Sequence, residues 1–377
     1  MKKLLLLFLT VPALWGCPQP QRAQTGDLDT LYMPSHARGF EIYGSGKSAV
    51  IRIKNPWQGA RNVDHWVFVS RGGELPPEGF DGVVITSPVK KTACMSSSHV
   101  ALLDALGRAG TIKAVSGLRY LANESIHKAA AQGKVKDVGY EGNINYEMLV
   151  MLHPDVVFMY SVSGEKLPVI DKMRELRVPV VMIGEYLEPS PLGKAEWVVA
   201  FGEIMGCRER AEELFRGVSL DYAAAAQLAR GAAAKPGVML NAPWRDTWFV
   251  PGDQSYMVRL IRDAGGRYVC EGVDSEQSRA INGETAFMYA DKADYWLNIN
   301  SISSMAELLQ LNPNFADIPP VRSGRVWNNT LRATAAGGSD FWESGAVYPN
   351  LVLQDLIHIL HPDLLPDHEM VYYKPVR

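Results

Sequence analysis

The chain has 377 residues with 38 basic and 41 acidic side chains, a formal net charge of −3, and is 47% hydrophobic and 21% charged. That composition is globular, and the length exceeds what one hydrophobic core usually organises, so about two domains are expected. With no basic excess to hold a phosphate backbone, nucleic acid is excluded as the natural partner.

Lys2 and Lys3 precede an apolar run from Leu4 to Gly16, which has the length of a signal-peptide core and is too short to span a bilayer. It ends in Leu14-Trp15-Gly16-Cys17, which resembles a bacterial lipobox. Residues 1–17 therefore read as a lipoprotein signal, with Cys17 acylated and the exported protein anchored in the cell envelope. An ordinary cleaved signal with a chance cysteine is the alternative. Residues 18–38 open with Pro18, Gln19, Pro20 and Gln21 and read as a tether. Cys94, Cys207 and Cys270 are an odd, widely spaced set. They read as buried apolar residues rather than a disulfide framework, although one pair could oxidise after export.

Alternation in Phe40–Tyr43 and Ala49–Ile53 around a glycine-rich turn predicts a β-hairpin, and His65–Val69 a third strand, so residues 40–70 form an extension. Gly44-Ser45-Gly46-Lys47-Ser48 mimics the end of a phosphate-binding loop, but Glu41 stands where the first glycine is required and no helix pattern follows. From about residue 83, short β-branched runs alternate with helical stretches. Strands are expected at Thr92–Met95, Ile112–Val115, Asp155–Met159 and Pro179–Ile183. Helices are expected at His99–Leu106, Asn145–Leu152 and Glu165–Leu176. This alternation predicts a parallel sheet covered on both faces, the first lobe, spanning residues 39–205 with its extension.

Trp197, Val198, Phe201, Ile204 and Met205 form an apolar stripe at helical spacing, which Gly206 interrupts. Leu214, Phe215, Val218, Tyr222 and Leu228 continue helical spacing from Arg208 to Ala229. At ~1.5 Å per residue that helix is roughly 33 Å long, enough to cross a domain. Residues 206–232 are therefore the expected stiff connection between lobes. The α/β texture resumes over 233–377. Strands are expected at Gly237–Asn241, Asp294–Ile299 and Arg325–Trp327, an extended turn at Trp248–Gly252, and helices at Tyr256–Ala264 and Asn350–Leu360. Asn145-Tyr146-Glu147 and Asn282-Gly283-Glu284 each precede a helix and then a Pro-Asp or Ala-Asp strand start, a faint echo between the halves.

Together these segments resemble the periplasmic binding proteins for iron chelates, haem and vitamin B12. The likeness covers residues 83–365 and is strongest over Ile144–Val157, with Glu185–Glu188, Pro191–Trp197 and Asp263–Gly266 adding to it. It implies an α/β fold of two Rossmann-like lobes joined by a single long α-helix, here with an N-terminal β-hairpin extension. It also implies a monomer without a cofactor that binds a metal-chelate small molecule between its lobes and delivers it to the permease dimer and ATPase of an ABC importer. In that family one glutamate on each lobe docks on permease arginines. By motif these are Glu147 and Glu284, although a first-turn glutamate is also what a helix dipole favours.

Ligand contacts are expected on loops at the carboxyl ends of the strands. These carry Ser97, Ser98, His99, Arg119, Tyr120, Tyr140, Glu141 and Tyr160 in the first lobe, and Trp244, Arg245, Trp248, Arg332 and Trp342 in the second. Flat rings suit a macrocycle or catecholate and arginine suits an anionic chelate. The bland alternatives are core aromatics and, at Ser96–Ser98, a helix cap.

A free zinc or manganese ion is the alternative ligand. His99 stands on a suitable loop, but no His-rich loop or His pair at ligand spacing accompanies it. No H-E-x-x-H, G-x-S-x-G or C-x-x-C supports an enzyme. A surface adhesion module is the remaining rival.

Overall fold

The computed structural model describes residues 28–45, 47–140, 143–162, 168–245, 247–272 and 274–377. The expected signal peptide, Cys17, the first part of the expected tether and Glu141 lie outside them. Among the described residues no helix is long and apolar enough to cross a membrane.

The N-terminal extension is a five-stranded sheet rather than three strands. β1 (Asp29–Tyr32), β2 (Phe40–Ser45), β3 (Ser48–Lys54) and β4 (Asp64–Ser70) are antiparallel neighbours, and β5 (Val83–Thr86) adds parallel to β4. Alternation sorts its two faces. Phe40, Ile42, Ile51, Ile53, Val67 and Val69 join the main core, while Val50, Trp66 and Phe68 form a small second cluster under Phe80.

Residues 28–38 depart from the expected free tether. The carboxylate of Glu196, fully buried, accepts hydrogen bonds from Tyr32 Oη at 2.8 Å, Ser35 N at 2.8 Å, Ser35 Oγ at 3.1 Å, His36 N at 2.7 Å and Ala37 N at 2.6 Å. Glu188 accepts from Arg38 N and Gly39 N, both at 2.9 Å, and from Trp197 Nε1 at 3.1 Å. A Cβ on Gly39 would meet the Trp197 ring at 2.6 Å, so this close approach requires glycine. Two carboxylates some 150 residues away in sequence thus hold a segment that looks free when read locally.

The first lobe is a parallel sheet of β6 (Thr92–Cys94), β7 (Ile112–Val115), β8 (Lys136–Asp137), β9 (Val156–Met159) and β10 (Val180–Met182), in the order β10-β9-β6-β7-β8. The helices α1 (Ser97–Ala105), α2 (Glu124–Ala131), α3 (Tyr146–Leu152) and α4 (Pro168–Glu175) lie between its strands in sequence. The order reverses between β6 and β9, the place where such sheets leave a crevice.

α5 (Pro191–Ile204) is buried along its whole length except at Lys194. Gly206, at φ 69°, ends it, with Cys207 N bonding Gly202 O at 2.7 Å. α6 (Arg208–Arg230) then runs back against it. A Cβ on Gly202 would sit 2.4 Å from that of Ala211, so glycine sets the spacing of the two helices. Ala211, Phe215, Val218, Tyr222, Ala225, Ala226 and Ala229 form the buried stripe of α6. Tyr222 Oη donates to Asp263 in the second lobe at 2.7 Å.

The second sheet contains β11 (Gly237–Leu240), β13 (Arg267–Tyr268), β15 (Tyr295–Leu297) and β16 (Val326–Asn328), all parallel, with β17 (Lys374–Pro375) antiparallel at the edge. The segment expected as an extended turn is a strand, β12 (Trp248–Val250), paired with β14 (Arg279–Ile281). The helices of this lobe are α7 (Tyr256–Asp263), α8 (Gly283–Ala290), α9 (Met305–Leu311), α10 (Pro319–Arg322) and α11 (Pro349–Leu360). Asp355 of α11, fully buried, accepts from the backbone N–H groups of Val371, Tyr372 and Tyr373 and from His368, pinning the chain that leads into β17.

Contacts that cross between the lobes include an ion pair of Arg38 with Glu276 at 3.0 Å and the two that follow. Glu343 accepts the N–H groups of Ala122 and Asn123 at 2.7 and 3.0 Å. At Gly338 a Cβ would stand 1.8 Å from the carbonyl oxygen of Tyr120, so the loop before Ser339 lies directly on the first lobe.

Candidate functional site

The carboxyl ends of the two sheets face each other across a cavity of about 850 Å³. Its first-lobe wall is the turn after β10 (Tyr186 to Pro189) together with Lys194 of α5. Its second-lobe wall is built where β11, β15 and β16 end, each running into asparagine: Asn241, then Asn298 and Asn300, then Asn328 and Asn329. Asn241, Asn298 and Asn300 take φ values of 63°, 59° and 56°, the left-handed region that asparagine tolerates better than most side chains. Their turns are cross-braced. Asn241 Nδ2 donates to Phe249 O at 2.9 Å, Asn300 Nδ2 to Ala242 O at 3.0 Å, and Asn328 Nδ2 to Asn300 O and Ile302 O, both at 2.9 Å. The cavity wall is therefore rigid and rich in amides and hydroxyls, with Ser255, Ser301, Thr330 and Ser339 adding to it.

The aromatic surfaces are Tyr186, Tyr256 and Trp342. Tyr186 Oη donates to Ser161 O, and its ring packs edge-on to Tyr160 at 5.8 Å. Tyr256 lies under Lys194 Nζ, 4.5 Å from its ring centroid. Burial pushes the Lys194 ammonium below its ordinary pKa, and the nearby Glu185 and Glu188 pull it back up. Burial raises Glu188, against the N–H donors that lower it.

Of the thirteen ligand contacts expected from sequence, twelve fall among the described residues, and of those Trp342 alone lines this cavity. Ser98 and His99 lie beneath the first-lobe wall. Ser98 Oγ donates to Glu185, while His99, fully buried, holds Phe158 O at 3.2 Å and stands 3.8 Å from Glu185, beyond hydrogen-bonding range. Burial acts to raise Glu185, and Ser98, His99 and Lys194 outweigh it, holding the carboxyl below its usual value. Ser97 begins α1. Tyr140 and Tyr160 line a separate cavity of about 120 Å³ at the first-lobe sheet edge.

Arg119 is exposed and folded over Tyr120, its Nη2 2.6 Å from Tyr120 Oη. Trp244 and Arg245 are exposed on a tight turn. Arg332 pairs with Asp340 at 3.1 Å in a third depression near Glu343. Trp248 corrects the sequence expectation most sharply. It is 3% exposed, stacks on Trp296 at 5.3 Å and donates to Leu240 O at 3.2 Å, which makes it a core residue. Trp197 and Trp296 are fully buried. The sequence signal for the cavity wall was the asparagine at the carboxyl ends of β11, β15 and β16.

Glu147 and Glu284 occupy matching places. Each is exposed in the first turn of a helix capped by an asparagine two residues earlier, Asn145 accepting from Met148 N at 2.9 Å and Asn282 from Thr285 N at 2.8 Å. α3 and α8 each lead into a strand of a parallel sheet, so their N-termini stand at the carboxyl edges, on the cavity side of the lobes.

Cys94, Cys207 and Cys270 are free thiols. Among the described residues no group of three or more His, Cys, Asp and Glu side chains could hold a metal ion.

A family model described as periplasmic binding protein matches residues 93–329. Two uncharacterized lipoproteins of Methanocaldococcus jannaschii are similar in sequence. One is 29% identical over 290 residues, 74% of this chain and 67% of its own. The other is 25% identical over 375 residues, 95% of this chain and 90% of its own. Among solved structures, a periplasmic heme-binding protein from Roseiflexus sp. RS-1 in apo form shares the fold with a TM-score of 0.57 at 19% identity, covering 73% of this chain and 99% of that one. A periplasmic binding protein from Veillonella parvula does so with a TM-score of 0.59 at 18% identity, covering 84% and 99%.

Proposed function

The chain belongs to the periplasmic binding protein family, and from that premise we propose that it captures an iron chelate between its lobes and delivers it to the permease of an ABC importer. The observation that carries the reading is the open cavity of about 850 Å³ between the carboxyl edges of two parallel sheets. That volume suits a ligand of several hundred daltons. Its amide- and hydroxyl-rich wall favours a hydrophilic chelate such as a ferric siderophore over the flat, apolar face of haem or the bulk of a corrinoid. A haem-binding neighbour keeps haem in the test panel.

Docking on the permease would use Glu147 and Glu284, whose exposed, matching positions support the assignment. Charges of this kind set orientation and encounter rate more than affinity. α6, packed along α5 and α11, limits the lobes to small relative movements. Acylation at Cys17, supported by the lipobox-like Leu14–Cys17 and by relatives named as lipoproteins, would hold the monomer at the membrane.

The test is quenching of Trp fluorescence by ferric siderophores, haem and cyanocobalamin. Saturable binding of a siderophore is expected, and no binding by any of the three classes would overturn the reading. Glu147→Ala combined with Glu284→Ala should leave affinity unchanged and abolish uptake. Undiminished uptake by the double variant would refute the docking role.

A further inference from the structure

Resting on the reading of the interlobe cavity as the solute site, we propose that its ligand carries a carboxylate, seated between Lys194 Nζ, Ser255 Oγ and the first-turn N–H groups of α7. Every other residue of α5 is buried, and Lys194 alone emerges from that helix into the cavity. Among the described residues Lys194 forms no ion pair. Its ammonium instead rests over the Tyr256 ring at 4.5 Å, in the first turn of α7. The carboxylates that bear on it are already engaged, Glu188 by Arg38 N, Gly39 N and Trp197 Nε1, and Glu185 by Ser98 Oγ.

α7 meets Lys194 with an uncompensated N-terminus. Its cap residue Ser255 accepts none of the first-turn N–H groups through its side chain, and no acidic residue stands in that turn. The N–H groups of Tyr256, Met257 and Val258 have no partner within the helix. Ser255 Oγ is buried without a hydrogen-bond partner and lines the same cavity. Desolvated donors of this sort are costly to leave unmet, and a helix N-terminus with an adjacent ammonium favours an anion.

An independent orphan completes the site. Asn298 is 6% exposed and lines the cavity, and its Oδ1 is buried with no partner. A carboxylate cannot satisfy that acceptor, but a hydroxyl or amide N–H on the same ligand can. The recognised class is therefore a carboxylate-bearing chelate with hydrogen-bond donors, as in hydroxycarboxylate ligands of ferric iron.

The experiment titrates the full chain with ferric citrate, a carboxylate chelate, and with ferrichrome, a neutral hydroxamate. The wild type should bind ferric citrate with an affinity that falls as salt rises. Lys194→Gln should weaken that binding about tenfold or more, Ser255→Ala should weaken it less, and Lys194→Arg should retain it. Thermal melts of each variant report folding, and if Lys194→Gln does not fold, Ser255→Ala decides. Ferric citrate binding unaffected by both Lys194→Gln and Ser255→Ala overturns the subsite. Wild-type binding of ferrichrome but not ferric citrate removes the carboxylate and leaves the chelate reading standing. Failure of both probes and of every other chelate overturns both.

Discussion

Glu343 is 2% exposed and takes the N–H groups of Ala122 and Asn123 across the lobe boundary. Burial raises its pKa from 4.5 to about 7, Asp340 and Asp104 add repulsion, and the two N–H donors oppose them without prevailing. Between pH 4.5 and 7 the folded protein therefore keeps a proton that the unfolded chain has released. The stability from this group is fully present below about pH 4.5 and declines as pH rises through about 7. At ~1.4 kcal/mol per unit, the whole shift is worth roughly 3 kcal/mol, most of which falls between pH 5 and pH 8. Urea unfolding of the wild type and Glu343→Gln at both values isolates the effect, because every other carboxylate titrates in both proteins. The wild type should lose roughly 2–3 kcal/mol more than the variant on going to pH 8. Parallel pH profiles for the two proteins would refute the reasoning.

Glu196→Ala removes five hydrogen bonds. Ser35 and His36 are exposed, so water can replace their share, but Ala37 N is left buried. The cost should be about 3–5 kcal/mol, with hydrogen exchange accelerating first over residues 32–45. Undisturbed exchange there would contradict the pinning. Trp248→Ala should cost about 3–5 kcal/mol by emptying the stack on Trp296, and Trp244→Ala within about 0.5 kcal/mol. Comparable losses in urea melts would return Trp248 to the surface.

The two α/β lobes and the long helix were legible because periodicity is local. Alternation marks Phe40–Tyr43, and a 3.6-residue stripe marks Phe215, Val218 and Tyr222 within α6. What escaped depends on distance along the chain. Residues 28–38 look like a tether until Glu196 and Glu188 arrive some 150 positions later. The cavity wall escaped for another reason: asparagine and serine after a strand look like ordinary turn residues, and Lys194 like any surface lysine in a helix first turn. Trp248 misled because its ring, conspicuous in sequence, serves the core, while the polar wall carries no conspicuous residue type.

The pinned segment also sets a leash. The first described residue of the chain, Leu28, is eleven positions beyond Cys17, and the chain is fastened to the first lobe from Tyr32 to Gly39. Eleven residues at full stretch reach about 36–40 Å. With Cys17 acylated as proposed, the body cannot drift beyond that radius from the bilayer. Search for a permease in the same membrane then becomes nearly two-dimensional, and the local concentration of docking faces depends on the leash rather than on bulk abundance.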